Sequence, residues 1–526
     1  MNHDPVEPSK SRRRRWRGRG PRGWRGLIFR LAAVALALAP FVVLELILTA
    51  LDWGRPSYDP DPFLGFRGAS PLFVLSEDGE RYEIAKGRQT FFYPDAFPAT
   101  RREEEYRVFC LGGSTVQGRP FSIETSFSTW LELGLQAADP RRPSEVVNCG
   151  GISYASYRLV PILQEILRYS PDLVVIYSGQ NEFLEDRTYE QIKQMPEILA
   201  APLELCSRLR TFVLLHAAYV SLTGSPEEVP AERPLLPAEV DALLDHRGGL
   251  ATYHRDAKWR RDVIQHYTYN LGRMVQLCRS AGVPVILVNP VANLRDCPPF
   301  KSEHREDLTG RERERWTSLR AEARRHYRTA PRRAVDILRE AARLDELHAG
   351  THYELAKCLD LLGRTDEARE AYRRAKELDV CPLRILEPMH RAVMDVAAST
   401  GAPLVDARAL FEDLSDGGIP GADWLVDHVH PSVKGHQLIA DALLDDLASR
   451  GLVERLPGWE KRRDARYREH LSSLDPLYFS KGLQILSAVQ HWARGRVSNE
   501  LPFRQPDPAP GGEEPLPEDG SGSGKR

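Results

Sequence analysis

The chain has 526 residues, of which 42% are hydrophobic, and its formal net charge is −2 at pH 7. This length exceeds one ordinary domain and can bury a sizeable core. A net charge so close to zero gives no global field that would attract nucleic acid, so nucleic acid is not a predicted partner. The 7 cysteines occur singly and lack the Cys/His spacing of a zinc site, so no metal is predicted. No cofactor is predicted either.

The N-terminus combines a basic arm with an apolar segment. Arginines crowd residues 1–26, and residues 27–51 are almost entirely apolar. As a helix, the second stretch would extend ~37 Å, which is enough to cross a bilayer. Glu45 is its costliest residue and is interpreted as structural or assembly-related. The positive-inside rule then predicts a single-pass protein of the cell inner membrane, with a cytoplasmic N-terminus and a periplasmic catalytic part.

After a juxtamembrane linker at 52–100, apolar strands alternate with helices. Short strands are predicted within the linker at 72–75, 81–84 and 90–93. Beyond it, strands are predicted at 108–111, 145–148, 173–177, 283–289 and 403–406, and helices at 126–138, 158–169, 259–281, 384–400 and 432–447. This alternation predicts an α/β fold in which a parallel sheet is covered by helices on both faces.

Ser114 directly follows the first of these buried strands, which a Gly112-Gly113 pair ends abruptly. Ligands bind beyond the carboxyl ends of the strands in open α/β sheets, so a serine delivered there is a candidate nucleophile. The alternative is that Ser114 only caps the helix that follows. The segment by itself leaves both interpretations open.

The stretch from Asp427 to His436 contains the groups that a serine nucleophile needs. A serine hydroxyl requires a base with a pKa near ~6.5, and the base requires a carboxylate that holds its tautomer. Asp427 and His430 are close enough in sequence to reach one another in a loop or a first helical turn. His428 and His436 are also available, so chemistry alone does not force the choice of His430.

Four blocks in order resemble those of the SGNH or GDSL-type hydrolases. They are Gly113-Ser114, where GGS replaces the usual GDS; NCGGISYAS at 148–156; GQNE at 179–182, where Glu182 replaces the aspartate of GxND; and DHVHP at 427–431, which matches DxxHP. The resemblance covers about 106–190, 260–297 and 385–450.

The resemblance implies a flavodoxin-like sheet of the SGNH type with Ser114, Asp427 and His430 as the catalytic residues. It also implies an oxyanion hole formed by the N–H groups of Ser114 and Ser153 and by the side-chain amide of Asn181. Ser153 stands where the family has a glycine, and a serine can still supply a backbone N–H.

Residues 301–382 contain an internal repeat. Ala334 and Leu338 recur as Ala368 and Tyr372 after 34 positions, which is the tetratricopeptide period. The first copy is degenerate. Because so few repeats rarely stand alone, this α-helical insertion is predicted to pack on the hydrolase domain. A packed structural insertion and a docking surface for a protein partner are equally open.

The predicted organisation is a basic cytoplasmic arm at 1–26, a transmembrane helix at 27–51, a linker at 52–100, a hydrolase domain at 101–300 and 383–450, the tetratricopeptide-like insertion at 301–382, C-terminal helices at 451–500 and a disordered tail at 501–526. A mainly helical insertion at 185–258 has no predicted role. Asn293 or Asp296 could contact the substrate, but solvation of the loop is the favoured interpretation of both. Cys297 and Cys381 flank the repeat insertion, and the compartment permits a disulfide between them.

The predicted function is a membrane-anchored serine esterase that hydrolyses an ester, and O-acetyl groups of a cell-surface polysaccharide are one candidate substrate. An O-acyltransferase would use the same site and pass the acyl group to a sugar hydroxyl. A non-catalytic scaffold that binds a partner through its repeats is an alternative of another class. The complete set of Ser, Asn, Asp and His favours an enzyme, because a scaffold has no physical need for all four.

Overall fold

The computed structural model describes residues 24–50, 70–185, 211, 240, 242–245 and 248–496. The chain divides into two compact units, Met1–Pro62 with Met195–Arg233, and Phe63–Gln194 with Pro234–Arg526. Part of the predicted helical insertion at 185–258 thus belongs with the N-terminal segment. Most of the basic arm, most of that insertion and the predicted disordered tail lie outside the described residues.

The first unit contains helix α1, Trp24–Ala50, which covers the predicted membrane segment. The Glu45 carboxylate accepts hydrogen bonds from the backbone N–H and the hydroxyl of Thr211 at 2.8 and 2.6 Å, so this half-buried acid has a polar partner. None of the helices in the described part of the chain is both long and apolar enough to cross a bilayer. The predicted membrane span is therefore not confirmed.

The second unit holds all the strands and the remaining helices that the structure describes. The strands are β1 Phe73–Leu75, β2 Arg81–Ile84, β3 Ala96–Pro98, β4 Tyr106–Gly112, β5 Ser144–Gly150, β6 Leu173–Tyr177, β7 Val285–Val288 and β8 Leu404–Val405. The helices are α2 Ser114–Gln117, α3 Phe127–Ala138, α4 Ser156–Ile166, α5 Ala257–Ser280, α6 Gly310–His326, α7 Pro331–Leu344, α8 Ala349–Leu361, α9 Thr365–Leu378, α10 Glu387–Thr400, α11 Ala407–Leu414, α12 Val433–Ser449, α13 Trp459–Ser473 and α14 Pro476–Arg496.

The main sheet has the order β5-β4-β6-β7-β8, and every neighbouring pair is parallel. Counted along the chain this is the order 2-1-3-4-5, which is the flavodoxin-like arrangement. The strand order therefore agrees with the SGNH-type fold that the resemblance implies. Because the order reverses beside β4, the crevice at the carboxyl end of β4 is the expected binding place.

The sheet is the middle of three layers. Along β4, Phe109 and Leu111 face a core formed with α4, α5 and α10, whereas Val108 and Cys110 face a core formed with α3, α12 and α13. Side chains of a strand alternate between the two faces, so each face needs its own apolar residues. This explains why β4 is buried along its whole length.

A small antiparallel sheet, β1-β2-β3, precedes the main sheet. Two of its strands lie where the sequence predicts them, but the predicted strand at 90–93 is wrong. Phe92 there makes only an isolated bridge with Gly151, and its ring packs against Tyr154. The aromatic residues of that stretch serve core packing, and the third strand forms at 96–98 instead.

The repeat region forms two helical hairpins, α6 with α7 and α8 with α9. The small residues Ala334 and Ala368 are fully buried and share a core with Leu338 and Tyr372. The helices lie where the 34-residue period predicts them. Their assignment to the tetratricopeptide family stays an interpretation of the sequence.

The C-terminal segment contains two helices, α13 and α14. Leu474 is extended, with φ −69° and ψ 136°, and Pro476 opens the next helix where its missing N–H costs nothing. Leu483 on α14 is 58% exposed. Cys297 and Cys381 are both buried and are not joined to each other, so the structure does not contain the disulfide considered between them.

Candidate active site

Ser114 is held at the carboxyl end of the central strand β4. The strand ends at Gly112, and Ser114 is the first residue of the short helix α2. Gly113, which has no side chain, occupies the N-cap position. Ser114 therefore does not serve as the cap, and its hydroxyl is available for other contacts.

Ser114, His430 and Asp427 form one continuous chain of hydrogen bonds. Ser114 Oγ lies 2.7 Å from His430 Nε2, and His430 Nδ1 lies 2.6 Å from Asp427 Oδ2. The other oxygen of Asp427 accepts the backbone N–H groups of Val429 and His430, both at 2.9 Å. One carboxylate oxygen thus anchors the loop while the other orients the imidazole.

The ionisation of Asp427 suits this arrangement. Burial alone would raise the pKa of this carboxyl, but the attraction of His430 and His428, together with its hydrogen bonds, holds the pKa well below its usual range. The carboxylate is therefore ionised at neutral pH and can hold the proton of His430 on Nδ1.

Neither of the other two histidines of this stretch forms a hydrogen bond with Ser114 among the described residues. His436 Nδ1 accepts the backbone N–H of Phe127 at 3.2 Å, and burial lowers the pKa of His436 to about 3. Burial likewise lowers the pKa of His428 to about 4, although Asp427 attracts its protonated form. Geometry therefore singles out His430 among the histidines that the sequence left open.

Ser153 has the backbone conformation that its place in the resemblance requires. Its φ is 62°, in the left-handed region that favours glycine. Within the described residues, neither the N–H of Ser153 nor that of Ser114 donates a hydrogen bond to a protein acceptor. Both donors are free for an oxygen atom of a ligand.

Asn181 faces the same cavity as Ser114 and Ser153. Its Nδ2 donates one hydrogen bond to the carbonyl of Tyr154 at 3.1 Å. An amide nitrogen carries two hydrogens, so the second is available to a ligand. The three groups predicted as oxyanion donors therefore meet in one place.

Glu182, which replaces the aspartate of the resembled block, connects two of the blocks. Its carboxylate oxygens accept the backbone N–H and the hydroxyl of Ser156, at 2.9 and 2.8 Å. Burial raises its pKa to about 7, against the opposing effect of these bonds. Glu182 therefore ties the residue next to Asn181 to the start of α4.

Asn293 holds the loop of Asp427 from behind, a role that the sequence analysis missed. Its Nδ2 donates to the carbonyl of Asp427 and its backbone N–H donates to the carbonyl of His428, both at 2.9 Å. The buried Arg384 in turn donates to the carbonyls of Asn293 and Cys297, at 2.9 and 2.7 Å. Asn293 is thus buried and hydrogen-bonded to the Asp427 loop, so its interpretation as a solvated loop residue is wrong.

The repeat hairpins contact the loop after β7, which contains Asn293 and Arg295. The hydroxyl of Tyr353 on α8 donates to the carbonyl of Arg295 at 2.9 Å, and the Arg295 guanidinium pairs with Asp360. Asp296 Oδ2 accepts the backbone N–H of Ala422 at 2.8 Å. The repeat region therefore packs on the segment that supports Asp427, as the sequence predicts for an insertion too short to stand alone.

The cavity beside Ser114 has a volume of about 340 Å³. Ser153, Asn181 and His430 line it together with Ser114, while Asp427 lies behind His430. Asp427, His428 and His430 place possible ligand atoms within 4.8 Å of one another. A metal held by all three would displace the hydrogen bond between His430 and Asp427, so the arrangement suits proton transfer better.

Arg119 also lines this cavity, and the sequence analysis did not single it out. Its backbone N–H donates to the carbonyl of Ser114 at 3.1 Å, which fixes it beside the nucleophile position. The only signal in the sequence was its place a few residues after Ser114.

No family model matches the chain, and no curated protein matches it either. Several solved structures are similar to it. An acetylxylan esterase from Geobacillus stearothermophilus is 14% identical, with 65% of this chain and 94% of that chain covered and a TM-score of 0.29. An alpha/beta hydrolase enzyme from the metagenome of Lake Arreo, Spain, is 15% identical, with 65% and 95% covered and a TM-score of 0.29. An acetyl xylan esterase, AlAXEase, is 12% identical, with 64% and 98% covered and a TM-score of 0.28.

Proposed function

We propose that this protein is a serine esterase that hydrolyses a carboxylic ester through Ser114, His430 and Asp427. The observation that carries the proposal is the hydrogen-bond chain from Ser114 Oγ through the His430 imidazole to the Asp427 carboxylate, with distances of 2.7 and 2.6 Å. A serine needs this arrangement to become a nucleophile at neutral pH.

In the first half of the reaction, Ser114 Oγ attacks the carbonyl carbon while its proton passes to His430 Nε2. The carbonyl oxygen becomes an oxyanion, which accepts hydrogen bonds from the N–H groups of Ser114 and Ser153 and from Asn181 Nδ2. Collapse of the tetrahedral intermediate breaks the bond to the alcohol oxygen, and His430 returns the proton to that oxygen. The alcohol leaves and Ser114 carries the acyl group.

In the second half, water takes the place of the alcohol. His430 Nε2 removes a proton from water, the hydroxide attacks the acyl carbon, and the same three donors stabilise the second oxyanion. Collapse releases the carboxylic acid and restores the Ser114 hydroxyl. Asp427 stays ionised throughout and stabilises the imidazolium that forms in each half.

Turnover of 4-nitrophenyl acetate by the purified protein tests the proposal. Ser114→Ala should abolish turnover and leave the unfolding transition in place. Ser178→Ala is the matched control, because Ser178 follows the neighbouring strand β6 and is equally buried, at 6% exposed against 8% for Ser114. Loss of activity in the control alone, or full activity in Ser114→Ala, would remove Ser114 from the mechanism.

The substrate class is a separate and finer proposal. O-acetyl groups of a cell-surface polysaccharide are the substrate that the predicted extracytoplasmic location favours. A screen for acetate release from extracted envelope polymers tests it, and release from none of them would reject it. The location depends on the sequence of residues 1–51, and membrane fractionation of the full chain against a chain that begins at Trp53 tests that part independently.

A further inference from the structure

The charged groups of the cavity beside Ser114 are few. Its described lining residues include one arginine, Arg119, and one carboxylate, Asp245. His428 is the other ionisable residue of the wall besides His430, and its lowered pKa of about 4 leaves it neutral at pH 7. Arg119 is therefore the one permanent cation among the described residues of this wall.

Arg119 has no carboxylate partner among the described residues. Within the described residues Arg119 has no ion pair, and its buried Nε has no hydrogen-bond partner. Four other inward-facing arginines are paired: Arg107 with Glu105, Arg158 with Glu185, Arg295 with Asp360 and Arg320 with Glu354. The buried Arg88 resembles Arg119 in having no ion pair among the described residues, but it does not line this cavity. A half-buried guanidinium that no carboxylate neutralises can form a charge-assisted hydrogen bond with an anionic group of a ligand in the cavity that it lines.

The position of Arg119 is fixed relative to the reacting serine. Its backbone N–H donates a hydrogen bond to the Ser114 carbonyl at 3.1 Å, which holds the backbone of Arg119 beside Ser114. Its side chain is half-buried and reaches the same cavity as Ser114 Oγ. A substrate whose ester carbonyl lies at Ser114 therefore presents its neighbouring groups to this guanidinium.

We propose that Arg119 binds a carboxylate group of the substrate, so that the preferred substrate is an ester that carries a negative charge in its alcohol part or in its acyl part. A guanidinium matches a carboxylate in charge and in the geometry of its paired N–H donors. This inference rests on the proposed esterase function and adds the class of ester.

Asp245 does not cancel this preference. It is exposed at the mouth of the cavity, where water weakens its field, whereas Arg119 is half-buried, where a charge pair is stronger. The remaining side chains of the wall are apolar or neutral, among them Ile152, Leu184 and Leu383. No other carboxylate lies among the described residues of the wall, so a substrate carboxylate bound at Arg119 would meet no negative charge on the buried part of the wall.

Two matched ester pairs test the proposal and separate its two sources of charge. For the alcohol part, 4-acetoxybenzoate is compared with its methyl ester; for the acyl part, 4-nitrophenyl hydrogen succinate is compared with 4-nitrophenyl methyl succinate. In each pair the measured quantity is the ratio of kcat/KM for the charged ester to kcat/KM for the neutral one. Comparing this ratio between variants cancels the intrinsic reactivity of the esters.

Arg119→Gln should lower the ratio by about 10- to 100-fold in at least one pair, as expected when a charge-assisted hydrogen bond is lost. Arg119→Lys keeps the charge and should restore part of it. Arg455→Gln is the matched control, because Arg455 also has a buried Nε without a partner but packs on Trp459, outside the cavity. An unchanged ratio in Arg119→Gln for both pairs would overturn the proposal.

A measurement on the unmodified protein does not depend on the folding of any variant. Benzoate should inhibit the hydrolysis of 4-nitrophenyl acetate at concentrations at least tenfold lower than benzamide, and the difference should shrink as salt is added. Equal inhibition by the two compounds would overturn the assignment of Arg119 while leaving the esterase function intact. Absence of any ester hydrolysis would instead remove the proposed function itself, and the inference with it.

Discussion

A Cβ atom on Gly113 would come 2.5 Å from Nδ2 of Asn181, so only glycine at position 113 leaves Asn181 where it lies. The GGS sequence around Ser114, which departs from GDS, is thus coupled to the position of a residue much later in the chain. The contact is with the end of a side chain, so a larger residue at 113 displaces Asn181 and does not break the backbone.

Gly113→Ala should therefore lower activity through Asn181. We expect kcat/KM to fall by about tenfold because the amide moves away from the oxyanion position. Steady-state kinetics on 4-nitrophenyl acetate measures the effect. Asn181→Ala sets the upper limit, since removal of an oxyanion donor costs ~10²- to 10³-fold. If Gly113→Ala lowers the rate further in a protein that already lacks the Asn181 amide, the coupling is not through Asn181.

Ser153→Gly should stabilise the protein without loss of activity. The left-handed backbone at position 153, with φ 62°, costs a non-glycine residue about 1 kcal/mol, and glycine removes that cost while keeping the N–H donor. Denaturant unfolding should show a gain of up to about 1 kcal/mol, reduced by the greater freedom of glycine in the unfolded chain. A clear fall in kcat would mean that the Ser153 side chain, and not only its N–H, takes part in the reaction.

Asn293→Ala should slow turnover although Asn293 is not in the wall of the cavity. Without its side chain, the carbonyl of Asp427 loses a bond of 2.9 Å and the loop that orients His430 loosens. We expect kcat to fall by about tenfold with little change in KM, because substrate binding is untouched.

Asn289→Ala is the control for this effect. Asn289 is equally buried, but its side chain bonds to Asp406 and His390 and not to the Asp427 loop. Both variants should lower the free energy of unfolding, and kinetics at a temperature where both are folded separates the two roles. Equal kcat losses in the two variants would reduce Asn293 to a purely structural residue.

Glu182→Gln should change how stability depends on pH. Burial raises the pKa of Glu182 from 4.5 to about 7, so between these values the folded state binds more protons than the unfolded state. Its contribution to stability is full below pH 4.5 and is lost as the pH rises through about 7. The glutamine variant lacks this loss, so its stability relative to wild type should rise by roughly 3 kcal/mol over that range. Denaturant unfolding at several pH values measures the difference, and a pH-independent difference would contradict it.

The parts of the site that the sequence predicts are those that depend on local spacing. Asp427 and His430 are close enough along the chain to bond directly, and Ser114 follows a buried apolar strand. The parallel pairing of the strands follows from their alternation with helices, because parallel neighbours need crossover connections, whereas the strand order is implied only by the family resemblance. These features need no knowledge of distant contacts.

The parts that sequence reasoning missed depend on distant partners. Asn293 finds its partner 134 residues away, so its loop gives no sign that it is buried. The clash that excludes a side chain at position 113 likewise depends on Asn181, which follows the neighbouring strand β6. The prediction of a strand at 90–93 is wrong because burial of Phe92 in the core, and not hydrogen-bond pairing with another strand, decides the conformation there.

Reaction with a fluorophosphonate followed by peptide mass spectrometry tests the central claim most directly, because such a reagent modifies a serine only when a base activates its hydroxyl. The account predicts one modified residue, Ser114, with labelling lost in His430→Ala and retained in His428→Ala. Labelling of another serine, or equal labelling of Ser114 after the loss of His430, would contradict it.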